Sequence, residues 1–163
     1  MIAAPQVRAR RRAATRRGVL AQALERAEKC EFDAKEPATG WSLPQALAHC
    51  AQSIEFSIVG FPRLRGRVYQ AVLGRGLKRR FLRRGVMFHN RAASVPGAPP
   101  MPATLTRGEA LARLRRAIDR FQAHEGPLAP HFTYGLATKE EYEALHAMHL
   151  TDHLTAFDRP TAS

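Results

Sequence analysis

The segment TKEEYEALHAMHLTDHLTAF, residues 138–157, decides the fold of this chain. It begins with a capping box, in which Thr138 accepts a hydrogen bond from the first helical turn and Glu141 returns one. At ~100° per residue, one face of the helix collects Tyr142, Leu145, His146, His149, His153, Ala156 and Phe157. Because its apolar members belong in a core, this face is predicted to be buried with three histidines on it.

Three further segments carry the start signals and the apolar spacing of helices. The first is predicted over about residues 16–32, with Thr15 as its N-cap. The second begins at the capping box Ser42-Leu43-Pro44-Gln45 and runs to about Val59. The third runs from Thr106 to about His124. We therefore expect an all-α protein, since no segment has a strong strand pattern.

A basic insertion separates the second and third of these helices. Residues 63–91 are amphipathic, and Gly74 and Gly76 are predicted to break them into two short helices. Residues 92–105 are rich in proline and predict a long loop. The predicted architecture is a four-helix bundle with one long basic crossover between the second and third bundle helices.

Length and targeting signals predict a single cytoplasmic domain. With 163 residues the chain can bury one ordinary core. We expect a basic arm at 1–14, the bundle at 15–158 and a tail at 159–163. The motif around Arg16 and Arg17 lacks the apolar region of an export signal, and no apolar run approaches the ~18 residues of a membrane span. Cys30 and Cys50 are expected to be reduced thiols.

The net charge of +12 supports a second hypothesis, in which the protein binds nucleic acid or an anionic surface without catalysis. The charge is concentrated in two clusters: Arg8, Arg10, Arg11, Arg12, Arg16 and Arg17, then Arg63, Arg65, Arg67, Arg75, Lys78, Arg79, Arg80, Arg83 and Arg84. No helix-turn-helix, zinc-finger or RNA-recognition motif accompanies them. Among these arginines, Phe61, Val68 and Phe81 are apolar side chains that could face a second copy in a homodimer.

Histidine spacing points to a metal site. His149 and His153 are four residues apart, so both imidazoles can reach one ion, which would remove the cost of burying them unpaired. The residues alone leave the third ligand open between His146, on the same face, and His49, on the second helix. His89, His124 and His131 lie in or near predicted loops, where histidines are usually solvated. A di-metal carboxylate centre is disfavoured because Glu143-x-x-His146 has no second copy.

Several motifs together resemble the DinB/YfiT-like superfamily of metalloenzymes. Trp41 followed by SLPQALAH, which ends at His49, resembles the start of its second helix, and His149-x3-His153 resembles the ligand pair on its last helix. The stretches HCAQSIEFSIVGFP, PGAP, HFTYG and HAMHLTDHL are similar to one uncharacterised bacterial family within it. The resemblance spans about residues 41–157, close to the whole predicted bundle.

The resemblance implies a function as well as a fold of the DinB/YfiT-like type. Its implied ligands are His49, His149 and His153, with a position left open for water or substrate. The implied ion is zinc or nickel, with iron or manganese as alternatives. Four residues are expected to lie near it as pocket or supporting residues: His146, His131, Tyr134 and Ser53. Asp152, between the ligands, is expected to point away. The implied activity uses a small thiol, whose acidic groups the insertion's arginines could hold.

Overall fold

The computed structural model describes residues 18–30 and 40–157, and its regular elements in these ranges are helices joined by loops. The elements in chain order are α1 (Val19–Lys29), α2 (Leu43–Val59), α3 (Arg67–Tyr69), a π-helical turn (Gln70–Gly74), α4 (Arg75–Arg84), α5 (Arg107–Ala123) and α6 (Lys139–Thr155). Within these ranges the one β-type pairing is an isolated bridge between His131 and Gly135. The predicted all-α class is confirmed for this part of the chain.

Three capping boxes fix where the long helices begin. At α2 the amide of Gln45 donates to Ser42 Oγ and the amide of Ser42 donates to Gln45 Oε1. Equivalent reciprocal bonds begin α5 at Thr106 and α6 at Thr138. Each box satisfies amides that have no partner inside the helix. The predicted starts of these three helices are confirmed, whereas Thr15 lies outside the described residues.

Helices α1, α2, α5 and α6 pack around one hydrophobic core. Leu20, Leu47, Leu114 and Leu150, one from each helix, are almost completely buried. A bidentate ion pair joins α2 to α5, with Arg113 Nε and a terminal nitrogen at 2.9 and 2.6 Å from the Glu55 carboxylate. None of the described helices combines the length and the apolar character needed to cross a membrane. Cys30 and Cys50 form no disulfide.

The basic insertion folds back onto α6 through a second, smaller cluster of side chains. Phe81, Met87, Tyr134 and Leu145 are buried together. Nearby, the Lys78 ammonium donates to the carbonyl of Leu136 at 2.8 Å and pairs with Glu141 at 2.6 Å. The loop at 92–105 is held against α2, where the side-chain amide of Gln52 donates to the carbonyl of Pro99.

Two expectations about the insertion were wrong. Gly74 and Gly76 do not separate two helices, because the chain stays helical from Arg67 to Arg84 and Gly74 ends a π-helical turn within it. Phe61 and Phe81 do not face a partner, because both side chains are buried within this chain, against His131 and Tyr134 respectively. Of the three apolar side chains considered for a dimer, Val68 alone is exposed.

Gly74 is needed for close packing rather than for a helix break. A Cβ at this position would lie 2.0 Å from the backbone carbonyl oxygen of Thr133, which no flexible side chain can relieve. A Cβ at Gly76, two residues along the same helix, would meet nothing within 4 Å. The glycine thus lets the insertion approach the segment that carries His131 and Tyr134.

We predict opposite effects for alanine at these two glycines. Gly74→Ala should lower the free energy of unfolding by about 1–3 kcal/mol, because the backbone at Thr133 must move. Gly76→Ala should leave it unchanged or raise it by up to about 1 kcal/mol through helix propensity. Urea denaturation of both variants measures this. Equal effects of the two substitutions would contradict the close approach at Gly74.

Candidate metal centre

Three imidazoles from two helices converge on one point. His49 projects from α2, and His149 and His153 project from successive turns of α6. One nitrogen of each lies within 4.8 Å of the other two, and the ring centroids are 5.1, 5.1 and 4.9 Å apart. Nitrogens bound to one tetrahedral zinc ion are about 3.3 Å apart, so small side-chain rotations would complete a site. The cluster could hold a metal ion.

The position of His49 follows from how deeply α2 is buried. This helix packs against α5 on one side and α6 on another. Its buried surface therefore extends beyond the Leu43–Ile58 stripe to include Ala46, His49 and Ser53. Trp41, just before the helix, lies 5.0 Å from the His49 ring and stacks on His153 at 6.1 Å. The indole shields these two rings from solvent.

Burial keeps the three imidazoles in the neutral form that binds metal. Loss of hydration lowers the pKa of His49 to about 4 and that of His153 to about 2. The same cause, reinforced by the neighbouring imidazoles, holds the pKa of His149 well below its ordinary value. Metal binding to histidine requires a free lone pair, so the cluster needs no deprotonation near neutral pH. Burial also raises the pKa of Cys50, the next residue in sequence after His49, and this thiol is not part of the converging group.

One buried nitrogen of the cluster is left without a hydrogen-bond partner by the described part of the chain. His153 Nδ1 is fully buried and has no hydrogen-bond partner within the described ranges. A buried polar atom without a partner costs on the order of 1–3 kcal/mol. A cation bound at this nitrogen would remove that cost. The cluster thus fits a divalent ion in geometry, in protonation and in its unsatisfied atom.

His89 lies against this cluster, although its place in a predicted loop suggested a solvated side chain. Its ring centroid is 4.7 Å from that of His149 and 5.0 Å from that of His153. Its Nδ1 is 2.8 Å from a carboxylate oxygen of Asp152, which in turn lies 3.5 Å from Arg91. Asp152 is therefore not directed to solvent. Neither residue could be recognised from spacing, because the contact joins residues 63 positions apart in different elements.

A cavity of about 290 Å³ opens on the same cluster. Its lining includes His49 and His149 together with all four residues expected to lie near the ion: Ser53, His131, Tyr134 and His146. The His131 ring stacks on Tyr134 at 4.3 Å, and its Nδ1 accepts hydrogen bonds from the amides of Thr133 and Tyr134. His131 is thus an oriented, buried group rather than the solvated one that its loop position suggested.

His146 belongs to the cavity wall and not to the group of converging nitrogens. Its Nε2 lies 3.2 Å from Ser57 Oγ, and its ring stacks on Tyr142. The hydroxyl of Ser57 satisfies one imidazole nitrogen without a metal. The structure therefore brings His49, and not His146, together with His149 and His153.

The basic residues lie mostly outside the cavity. From Arg63 to Arg84 the arginines of the insertion are exposed, and Arg65 is the one arginine in the described lining of the cavity. Its guanidinium lies 4.8 Å from the centroid of the Tyr69 ring, which also lines the cavity. The arginines of the N-terminal cluster, from Arg8 to Arg17, lie outside the described residues.

Buried histidines outside the ligand cluster predict how stability depends on pH. Burial lowers the pKa of His131 and of His146 to about 3, against an ordinary value of 6.5. The unfolded chain therefore takes up protons first, and stability falls as the pH drops from about 6.5 towards 3. Each such histidine should lower the free energy of unfolding by up to about 1.4 kcal/mol for each pH unit over this range.

Urea unfolding of chelator-treated protein between pH 7 and pH 4.5 measures this dependence. His146→Gln keeps a partner for Ser57 and should reduce the slope by the contribution of one histidine. His124→Gln is the matched control, at a half-buried histidine outside the cavity and the cluster. A slope that is the same in all three proteins would contradict a buried, neutral His146.

Comparison with known proteins identifies a family for this chain but no similar curated protein or solved structure. No curated protein and no solved structure gives a significant match. A family model described as "Protein of unknown function (DUF1569)" matches residues 11–160, which include every residue of the cluster and the cavity. The chain therefore belongs to this DUF1569 family.

Proposed function

We propose that this protein is a metal-dependent enzyme whose divalent ion is held by His49, His149 and His153. The observation that carries the proposal is the convergence of three imidazoles, two buried and one partly buried, beside a cavity. The family resemblance favours zinc or nickel, both of which suit imidazole ligands, with iron or manganese as alternatives. The packing of α1, α2, α5 and α6 around one core, with a basic crossover, also supports a DinB/YfiT-like four-helix bundle.

The chemistry of such a centre depends on an open position. A divalent ion held by three imidazoles acidifies a bound ligand and acts as a Lewis acid. His49 and His149 line the cavity, so a substrate in it can reach the centre. On another side, Trp41 covers His49 and His153 and keeps water from the buried rings. The chain therefore supplies a site that a substrate can approach through this cavity.

The cavity favours a small substrate that has an anionic group. A volume of about 290 Å³ is at the lower end for ligand pockets and suits a compact molecule. Arg65 supplies the positive charge, and a guanidinium binds a carboxylate through two parallel hydrogen bonds. We propose an acidic low-molecular-weight thiol, whose sulfur would reach the ion while a carboxylate contacts Arg65.

A basic binding module without catalysis is the competing function. It is favoured by exposed arginines at four-residue intervals along α4, namely Arg75, Arg79 and Arg83. These side chains do not explain why four imidazoles are gathered in the interior, so we prefer the metalloenzyme. A cytoplasmic location, and a homodimer through the exposed Val68, stay predictions.

The metal site predicts stoichiometric binding that depends on the cluster. Full-length protein loaded with zinc and then desalted should retain about one ion per chain, and His149→Ala should reduce this to a small fraction because one of three ligands is lost. His124→Ala, a histidine outside the cluster, is the control and should bind like the unchanged protein. Elemental analysis measures the ratio, with circular dichroism to verify folding.

Two outcomes would contradict the proposal. The first is an unchanged protein that retains no stoichiometric zinc, nickel, iron or manganese. The second is equal metal content in folded His149→Ala and in His124→Ala, which would place the ion elsewhere.

The substrate class predicts a preference for acidic thiols. Cobalt-loaded protein should bind mercaptosuccinate at least about tenfold more tightly than 2-mercaptoethanol, since a charged contact with Arg65 is worth on the order of 1.5–3 kcal/mol. The near-ultraviolet band from sulfur bound to cobalt reports both titrations. Arg65→Ala should abolish the preference, and Arg63→Ala, an exposed arginine outside the cavity lining, should retain it. No preference in the unchanged protein would contradict an acidic thiol.

A further inference from the structure

We propose that His89 and Asp152 are a positioning pair, which fixes the tautomer of His153 so that its Nδ1 is the metal-binding atom. The inference rests on the proposed function, because it assigns a role relative to the same ion. His89 follows the end of α4 and meets α6 at the turn that carries Asp152 and His153. It is not one of the three residues whose nitrogens converge.

The contact with Asp152 determines where His89 carries its proton. His89 Nδ1 is 2.8 Å from Asp152 Oδ2, within ion-pair distance. At that distance the negative charge of the carboxylate favours a ring nitrogen that carries a proton over one that does not. The proton of a neutral His89 therefore lies on Nδ1. Arg91, 3.5 Å from the other carboxylate oxygen, helps to hold Asp152 in place.

The contact with His153 then follows from the tautomer of His89. With its proton on Nδ1, His89 has an acceptor at Nε2. That atom is 3.2 Å from Nε2 of His153, within hydrogen-bond distance for two ring nitrogens. Because one of the two must donate, the proton lies on Nε2 of His153. His153 thus donates from its Nε2 to Nε2 of His89, while Nδ1 of His89 contacts Asp152.

The remaining nitrogen of His153 is the one that lacks a partner. A neutral imidazole that carries its proton on Nε2 has its lone pair on Nδ1. In the described part of the chain, this Nδ1 is buried without a hydrogen-bond partner. Metal-binding histidines commonly donate their other ring N–H to an outer group that fixes orientation. His153 fits this arrangement, with His89 as the acceptor and Nδ1 as the ligand.

A different arrangement would make His89 a fourth ligand through its Nε2. His153 would then also bind through Nε2, and its proton would lie on the buried Nδ1 with no acceptor within the described ranges. The positioning role leaves neither nitrogen of His153 unsatisfied, so we prefer it. The two arrangements predict different protonated nitrogens, which can be measured.

Imidazole nitrogen NMR of the full-length protein loaded with zinc tests the assignment. Long-range proton–nitrogen spectra should show His153 bound through Nδ1, with its proton on Nε2. A zinc competition titration should show binding that is 10–100-fold weaker in His89→Leu, the range typical for loss of an outer partner. His89→Gln can still accept from His153 through its amide oxygen, and its affinity should stay within about threefold of the unchanged protein.

The results of these experiments distinguish a failure of this inference from a failure of the proposed metal site. If the unchanged protein binds zinc and His149→Ala does not, the metal site stands. Under that condition, equal zinc affinity in His89→Leu and the unchanged protein would overturn the role of His89. Zinc bound to Nε2 of both His89 and His153 would overturn it in favour of a fourth ligand. Failure of the unchanged protein to bind any divalent ion would instead remove the proposed function.

Discussion

The burial of neutral imidazoles between α2 and α6 is the constraint on which the rest of this structure depends. His49 and His153 are almost fully buried, and His149 shares their environment. Imidazoles removed from water need hydrogen bonds or a cation to offset lost hydration. The capping boxes of α2 and α6 fix the helical positions from which these rings meet. A metal ion accounts for the cluster with one bound species, whereas the hydrogen bonds of the described residues leave His153 Nδ1 without a partner.

Local signals made much of the fold predictable, and contacts distant in sequence made the rest unpredictable. Capping boxes and apolar spacing gave the starts and ends of α2, α5 and α6, because these signals lie within a few residues of each helix end. The same spacing placed His149 and His153 on a buried face. Gly74 was interpreted as a helix breaker because its contact with Thr133 depends on how the insertion folds back.

Some residues of the candidate site are positioned by the geometry of one helix, and the others are brought together by packing between elements. His149 and His153 share a helix, so their relation follows from its geometry. His49 required the resemblance to a family, because α2 is buried on two sides and its apolar stripe does not mark the inner face. His89 and Asp152 could not be found from sequence, since nothing local links a loop histidine to an aspartate 63 positions later. Helices thus hold the converging rings, and loop residues such as His131 and Arg65 shape the cavity.

Anomalous diffraction at the zinc absorption edge, from crystals of the full-length protein grown with zinc, tests the central claim most directly. We expect one strong peak per chain, about 2.0–2.1 Å from one nitrogen of each of His49, His149 and His153. A peak at an exposed residue such as Cys30 or His124, with none at the cluster, would contradict the account. So would crystals in which the three imidazoles are ordered around no metal ion.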